Sequence, residues 1–72
     1  MMNWRDYIHS DSAILGGKPI IKGTRISVEI ILERFGYGWT IDQILESYPH
    51  LTSEAIRACV LFAADSVKLK PS

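Results

Sequence analysis

Hydrophobic residues change their spacing at Ser27. Before it they come in short runs: Trp4, Tyr7 and Ile8, then Ala13-Ile14-Leu15, then Ile20-Ile21 with Ile26 close behind, punctuated by Gly16-Gly17-Lys18-Pro19. Short apolar runs bounded by glycine and proline predict short strands or hairpins. A lone two-stranded hairpin is marginal in water, so this arm must pack on the rest of the chain or pair with another chain.

After Ser27 the spacing becomes helical. Val28, Ile31, Leu32 and Phe35 fall at i, i+3, i+4 and i+7, which predicts a first helix from about Val28 to Phe35, with Ser27 as N-cap, Glu29 in the first turn and Gly36 and Gly38 at its end. Thr40 with Gln43 forms a capping box for a second helix that carries Ile41, Ile44, Leu45 and Tyr48 and stops at Pro49. Thr52 caps a third helix that runs to about Val67. Pro49-His50-Leu51 leaves the last two helices at the spacing of a helix-turn-helix. The predicted fold is mainly α: one domain over 1–72, with an extended or β arm (1–26) and a three-helix, helix-turn-helix-like (homeodomain-like) body (27–68).

The third helix breaks the amphipathic rule. Only Glu54, Arg57, Asp65 and Lys68 interrupt an otherwise apolar surface, and a chain of 72 residues has few elements with which to cover both sides. A chain this short buries only about 60% of the surface its unfolded form exposes, and outside stabilisers are common at that size. The single cysteine cannot form an internal disulfide, and His9 and His50 do not complete a zinc ligand set. Oligomerisation remains. The sequence therefore predicts a homodimer or higher oligomer with Ile56, Cys59, Val60, Phe62, Ala63 and Val67 at the interface. The competing reading makes this helix the central core, wrapped by the arm.

Charge and candidate chemistry narrow the function. Eight basic and eight acidic residues cancel, so any nucleic-acid site has to be local. No apolar run approaches the ~20 residues that cross a bilayer, and the first ten residues lack the build of a signal peptide, so the expected location is cytoplasmic, with no membrane partner. Cys59 lies among apolar neighbours where a thiol is inert; His9 and His50 lack spaced partners; Glu29 and Glu33 read as a solvated helix face near Arg34. Gly16-Gly17-Lys18 and Lys22-Gly23-Thr24 do not fit phosphate-loop spacing and read as turns. The expectation is a protein that is not an enzyme and has no cofactor, metal or small-molecule substrate. From Gly16 to Ser27 there are three cations, Lys18, Lys22 and Arg25, and no acid. This stripe is a candidate for phosphate contacts, unless Arg25 pairs with Glu29. Arg57, near the start of the third helix beside Thr52, Ser53 and Glu54, is the candidate for a base contact.

Trp4, the string Gly17-Lys18-Pro19-Ile20-Ile21-Lys22-Gly23-Thr24-Arg25-Ile26, Gly38, Ile44-Leu45, Tyr48-Pro49, Leu51-Thr52 and Ile56 together resemble the family known as domain of unknown function 433, over about residues 4 to 64. The resemblance implies a small prokaryotic protein with a helix-turn-helix-like body. Because such genes often neighbour those of PIN-like ribonuclease toxins, it further implies the antitoxin of a type II toxin-antitoxin pair, able to bind its toxin and its own operator DNA. The alternative is a stand-alone dimeric module that binds DNA or protein without a toxin.

Overall fold

A computed structural model describes residues 2–68; the extreme ends of the 1–72 unit lie outside the described residues. The arm opens with a 3-10 turn at Trp4–Asp6, started by the Asn3 side chain, which accepts a hydrogen bond from the Arg5 amide. Strand β1 (Ile8–Ser10) pairs antiparallel with β2 (Pro19–Ile21), in the register Ile8 with Ile21, His9 with Ile20 and Ser10 with Pro19. Ile8 and Ile21 point together into the core. Ile20, on the opposite pleat, is equally buried outside that core and bridges to Ser27.

The two connections of the arm are built differently. Between the strands, Leu15 has a φ of +51° and is half exposed, and two further left-handed residues follow. After β2 the chain turns tightly: the Thr24 amide and hydroxyl both donate to the Ile21 carbonyl (3.0 and 2.8 Å), and the Thr24 hydroxyl accepts from the Ile26 amide (3.0 Å). Gly23 supplies the φ of +78° that the third residue of a type II turn demands. The Gly-Thr-Arg part of the family-like string is thus turn architecture.

Three helices follow: α1 (Val28–Gly36), α2 (Ile41–Ser47) and α3 (Ser53–Ser66). Their starts are the predicted caps, with Ser27, Thr40 and Thr52 accepting from the amides of Ile30, Gln43 and Ala55. The Thr40–Gln43 box is closed in both directions, at 2.8 and 3.2 Å. Helix α1 ends in a Schellman motif, in which the Gly38 amide reaches the Phe35 carbonyl and the Trp39 amide the Arg34 carbonyl. The left-handed position there is Gly38 (φ +92°), and the Arg34 guanidinium lies over the Trp39 ring at 5.0 Å.

The core joins both parts of the chain. Ile8 and Ile21 from the sheet meet Val28 and Ile31 of α1, Ile44 of α2, Leu51, and Ala55, Ile56, Ala58 and Cys59 of α3. The mainly helical architecture with a β arm is as predicted, and the helix ends fall within one residue of expectation. One part of the interface expectation is corrected: Ile56 and Cys59 have no exposed surface, because the body and the sheet close over the first half of α3.

Candidate binding surface

The second half of α3 leaves the core. Val60, Leu61 and Val67 are 45%, 41% and 72% exposed, and Ala64 is exposed beside them. Phe62 and Ala63 are half-buried. What covers Phe62 is the start of the arm: the Trp4 ring meets it edge to face at 4.9 Å, and the Trp4 indole N–H donates to an Asp65 carboxylate oxygen at 2.5 Å. The Arg5 guanidinium lies over the other ring system of this clamp, 4.4 Å from the Trp4 centroid. The arm therefore wraps one flank of α3, as the core-helix reading expected, and leaves the other flank open.

Hollows surround this helix on three sides. A groove of about 460 Å³ runs between α1, the start of β2 and α3; Pro19, Val28, Leu32 and Phe62 line it with carbon, while Lys18, Glu29 and Glu33 supply charge. A hollow of about 250 Å³ places Lys22 and Thr24 beside His50 and Thr52 at the start of α3, with Asp6 and Tyr7 opposite. Where the arm-covered flank meets the open one, Leu61 stands between two further hollows of about 380 and 410 Å³. One carries Arg57 and Val60, the other Trp4, Arg5 and Asp65, and both share Met2.

The four cations predicted to contact DNA are consequently not one site. Lys18 faces the groove and pairs with Glu29 at 3.0 Å, both side chains being well exposed. Glu29, which the opposing reading paired with Arg25, is paired with Lys18, so the stripe is not free of acid in space. Lys22 lies at the other end of β2, beside the helix-turn-helix turn, and Arg57 lines a third hollow. The sequence gives these residues as neighbours, yet a strand separates the first two by about 13 Å of extended chain. Sequence reasoning passed over Leu61, Met2 and the Trp4–Asp65 contact, the last because its partners are 61 residues apart and nothing local announces it.

The remaining candidates are chemically quiet. Burial pushes the Cys59 thiol up from 9.0 to about 12, which leaves it protonated and unreactive at neutral pH. His9 and His50 are exposed. Among the described residues no three His, Cys, Asp or Glu side chains gather as a metal site, and no helix is long and apolar enough to cross a membrane.

Comparison with known proteins places this surface in context. The family model described as Protein of unknown function (DUF433) matches residues 8–63, from β1 to the last turns of α3. The uncharacterized protein y4eO of Sinorhizobium fredii (strain NBRC 101917 / NGR234) is 34% identical over 59 residues, covering 82% of this chain. The chain spans 27% of the length of that relative. No solved structure matches.

Proposed function

The chain belongs to the DUF433 family, whose description names no activity, and from that membership and the surface above we propose that it is the antitoxin of a type II toxin-antitoxin pair. In this reading it acts in the cytoplasm as a homodimer that docks on a PIN-like ribonuclease through its folded surface and performs no reaction of its own. The observation that carries it is the groove between α1 and α3, an open carbon-lined trough with Glu29 and Glu33 at its edge. An enzyme that binds RNA presents lysine and arginine to phosphates. An apolar trough with a carboxylate rim complements such a cleft, and Glu33, in no ion pair among the described residues, is the carboxylate best placed to serve.

The test is a search for a PIN-like ribonuclease gene beside this one and co-expression with its product, read as rescue of growth and as co-purification. Leu32→Asp is expected to abolish both while leaving the circular dichroism spectrum helical, because Leu32 is only partly buried. Rescue that survives Leu32→Asp and Glu33→Lys overturns the groove as the toxin site. If no such ribonuclease gene is adjacent, the stand-alone module replaces the antitoxin reading.

Operator binding is a second reading, favoured by one observation: the turn bearing Lys22 and Thr24 sits beside the start of α3, where helix-turn-helix proteins meet DNA. If it holds, a Lys22→Ala, Arg25→Ala variant binds its promoter with a salt slope smaller by about two units. Lys18→Ala changes that slope least, since Lys18 is engaged with Glu29.

A further inference from the structure

The charges of α3 and of the residues just after it are arranged symmetrically about one residue. Arg57 and Asp65 stand four positions before and after Leu61, and Glu54 and Lys68 stand seven before and after it. Positions four and seven apart share one face of a helix, so Glu54, Arg57 and Asp65 lie on the face of Leu61, and Lys68 follows just after the helix ends at Ser66. Each pair is opposite in sign. None of the four takes part in an ion pair among the described residues.

We propose that two copies of this chain pack α3 against α3, antiparallel, about a two-fold axis at Leu61, so that Arg57 of each copy meets Asp65 of the other and Glu54 meets Lys68. This rests on the homodimer in the proposed function and specifies its interface. A two-fold axis brings the same patch of both copies together and exchanges positions equidistant from it. Antiparallel packing at Leu61 therefore converts the sign symmetry into four attractive contacts. Parallel packing in register sets every charge against itself, Arg57 on Arg57 and Asp65 on Asp65.

The relief of the surface agrees. Leu61 and Val60 are the exposed apolar residues at the centre, and Leu61 is the ridge between the two hollows. The rotation lays the hollow that carries Arg57 over the hollow that carries Asp65. Exposed Ala64 is small enough to let the helices approach. Asp65 already accepts from Trp4 with one oxygen, and a carboxylate has further lone pairs for a guanidinium. Arg5 on the same rim weakens the attraction at Asp65, which makes Glu54 with Lys68 a useful second pair. The groove assigned to the toxin opens on the α1 side of Phe62, away from Arg57, so both surfaces can be occupied together.

The experiment is sedimentation equilibrium of the full chain and of charge-reversed variants. Arg57→Asp and Asp65→Arg are each expected to weaken self-association roughly 10-fold or more, because one substitution turns two symmetric attractions into repulsions. An equimolar mixture of the two recovers dimers, since both contacts are then opposite in sign. Glu54→Lys and Lys68→Glu repeat the design without touching the Trp4 hydrogen bond, and they decide the outcome if Asp65→Arg is unfolded by circular dichroism. Leu61→Glu abolishes the dimer. A wild-type monomer overturns both the homodimer and this interface. A dimer that tolerates the single reversals, or mixtures no tighter than their components, overturns this interface alone and leaves the homodimer standing.

Discussion

The two halves of α3 are both rich in apolar residues and have opposite fates. From Ala55 to Cys59, the apolar side chains are buried against the sheet, α1 and α2. From Val60 to Val67, apolar residues of similar type stand in solvent, apart from the flank that Trp4 covers. Composition does not separate them; what differs is the supply of covering elements. Helix α2 is 7 residues long and α3 is 14, so by length the shorter helix can line only half of the longer one. The inner half therefore carries folding, and the outer half stays largely exposed.

The largest effect expected from this contrast is on stability. Ile56→Ala removes a side chain with no exposed surface and should cost ~2–5 kcal/mol in chemical denaturation, a large share of what a small domain has. Leu61→Ala, one helical turn and a residue further on, should change the stability of the monomer by less than ~0.5 kcal/mol and instead weaken self-association. Equal costs at the two sites would remove the distinction between the halves.

Cys59 sharpens the same contrast through pH. Its thiol holds a proton to about 12 in the folded chain, whereas the unfolded chain releases it near 9.0. Between those values the unfolded state binds fewer protons, so stability is at its full value below pH 9 and falls by about 1.4 kcal/mol per pH unit as pH rises towards 12. The contribution of Cys59 is the slope that Cys59→Ala lacks. A cysteine placed at exposed position 66 of the same helix, as Ser66→Cys, should react with iodoacetamide at neutral pH while Cys59 stays unmodified.

The features legible in the sequence were those whose partners are close together along the chain. The Thr40–Gln43 box, the Ser27 and Thr52 caps and the glycine at the end of α1 each depend on residues at most five apart, and each stands where spacing put it. The illegible features are those that depend on which element packs where. An all-apolar helix carries no mark of which residues the body will cover, so Ile56 and Cys59 were expected beside Val60 at an interface. The basic stripe was contiguous in sequence, but β2 runs through it, sending Lys18 to Glu29 and Lys22 to the turn before α3. Trp4 reaches Asp65 across almost the whole chain, and its position is outside the segment that the family model matches.

The smallest expected effect compares the two ends of the same helix. At the inner end the Thr52 hydroxyl accepts from the Ala55 amide at 3.1 Å and satisfies a donor that α3 cannot pair internally. At the outer end the Ser66 hydroxyl donates to the Phe62 carbonyl at 2.8 Å, on an exposed turn where that carbonyl can find water instead. Loss of the first leaves an amide without its partner beside buried Ala55, and Thr52→Ala should cost ~1 kcal/mol. Loss of the second trades a hydroxyl for alanine, the residue with the highest helix propensity, and Ser66→Ala should be neutral or stabilising by a few tenths of a kcal/mol, on the order of the propensity difference. Thermal denaturation of the two variants at one protein concentration decides between them. A Ser66→Ala penalty as large as that of Thr52→Ala would mean that the outer half is held as firmly as the inner, and would count against its use as a free binding face.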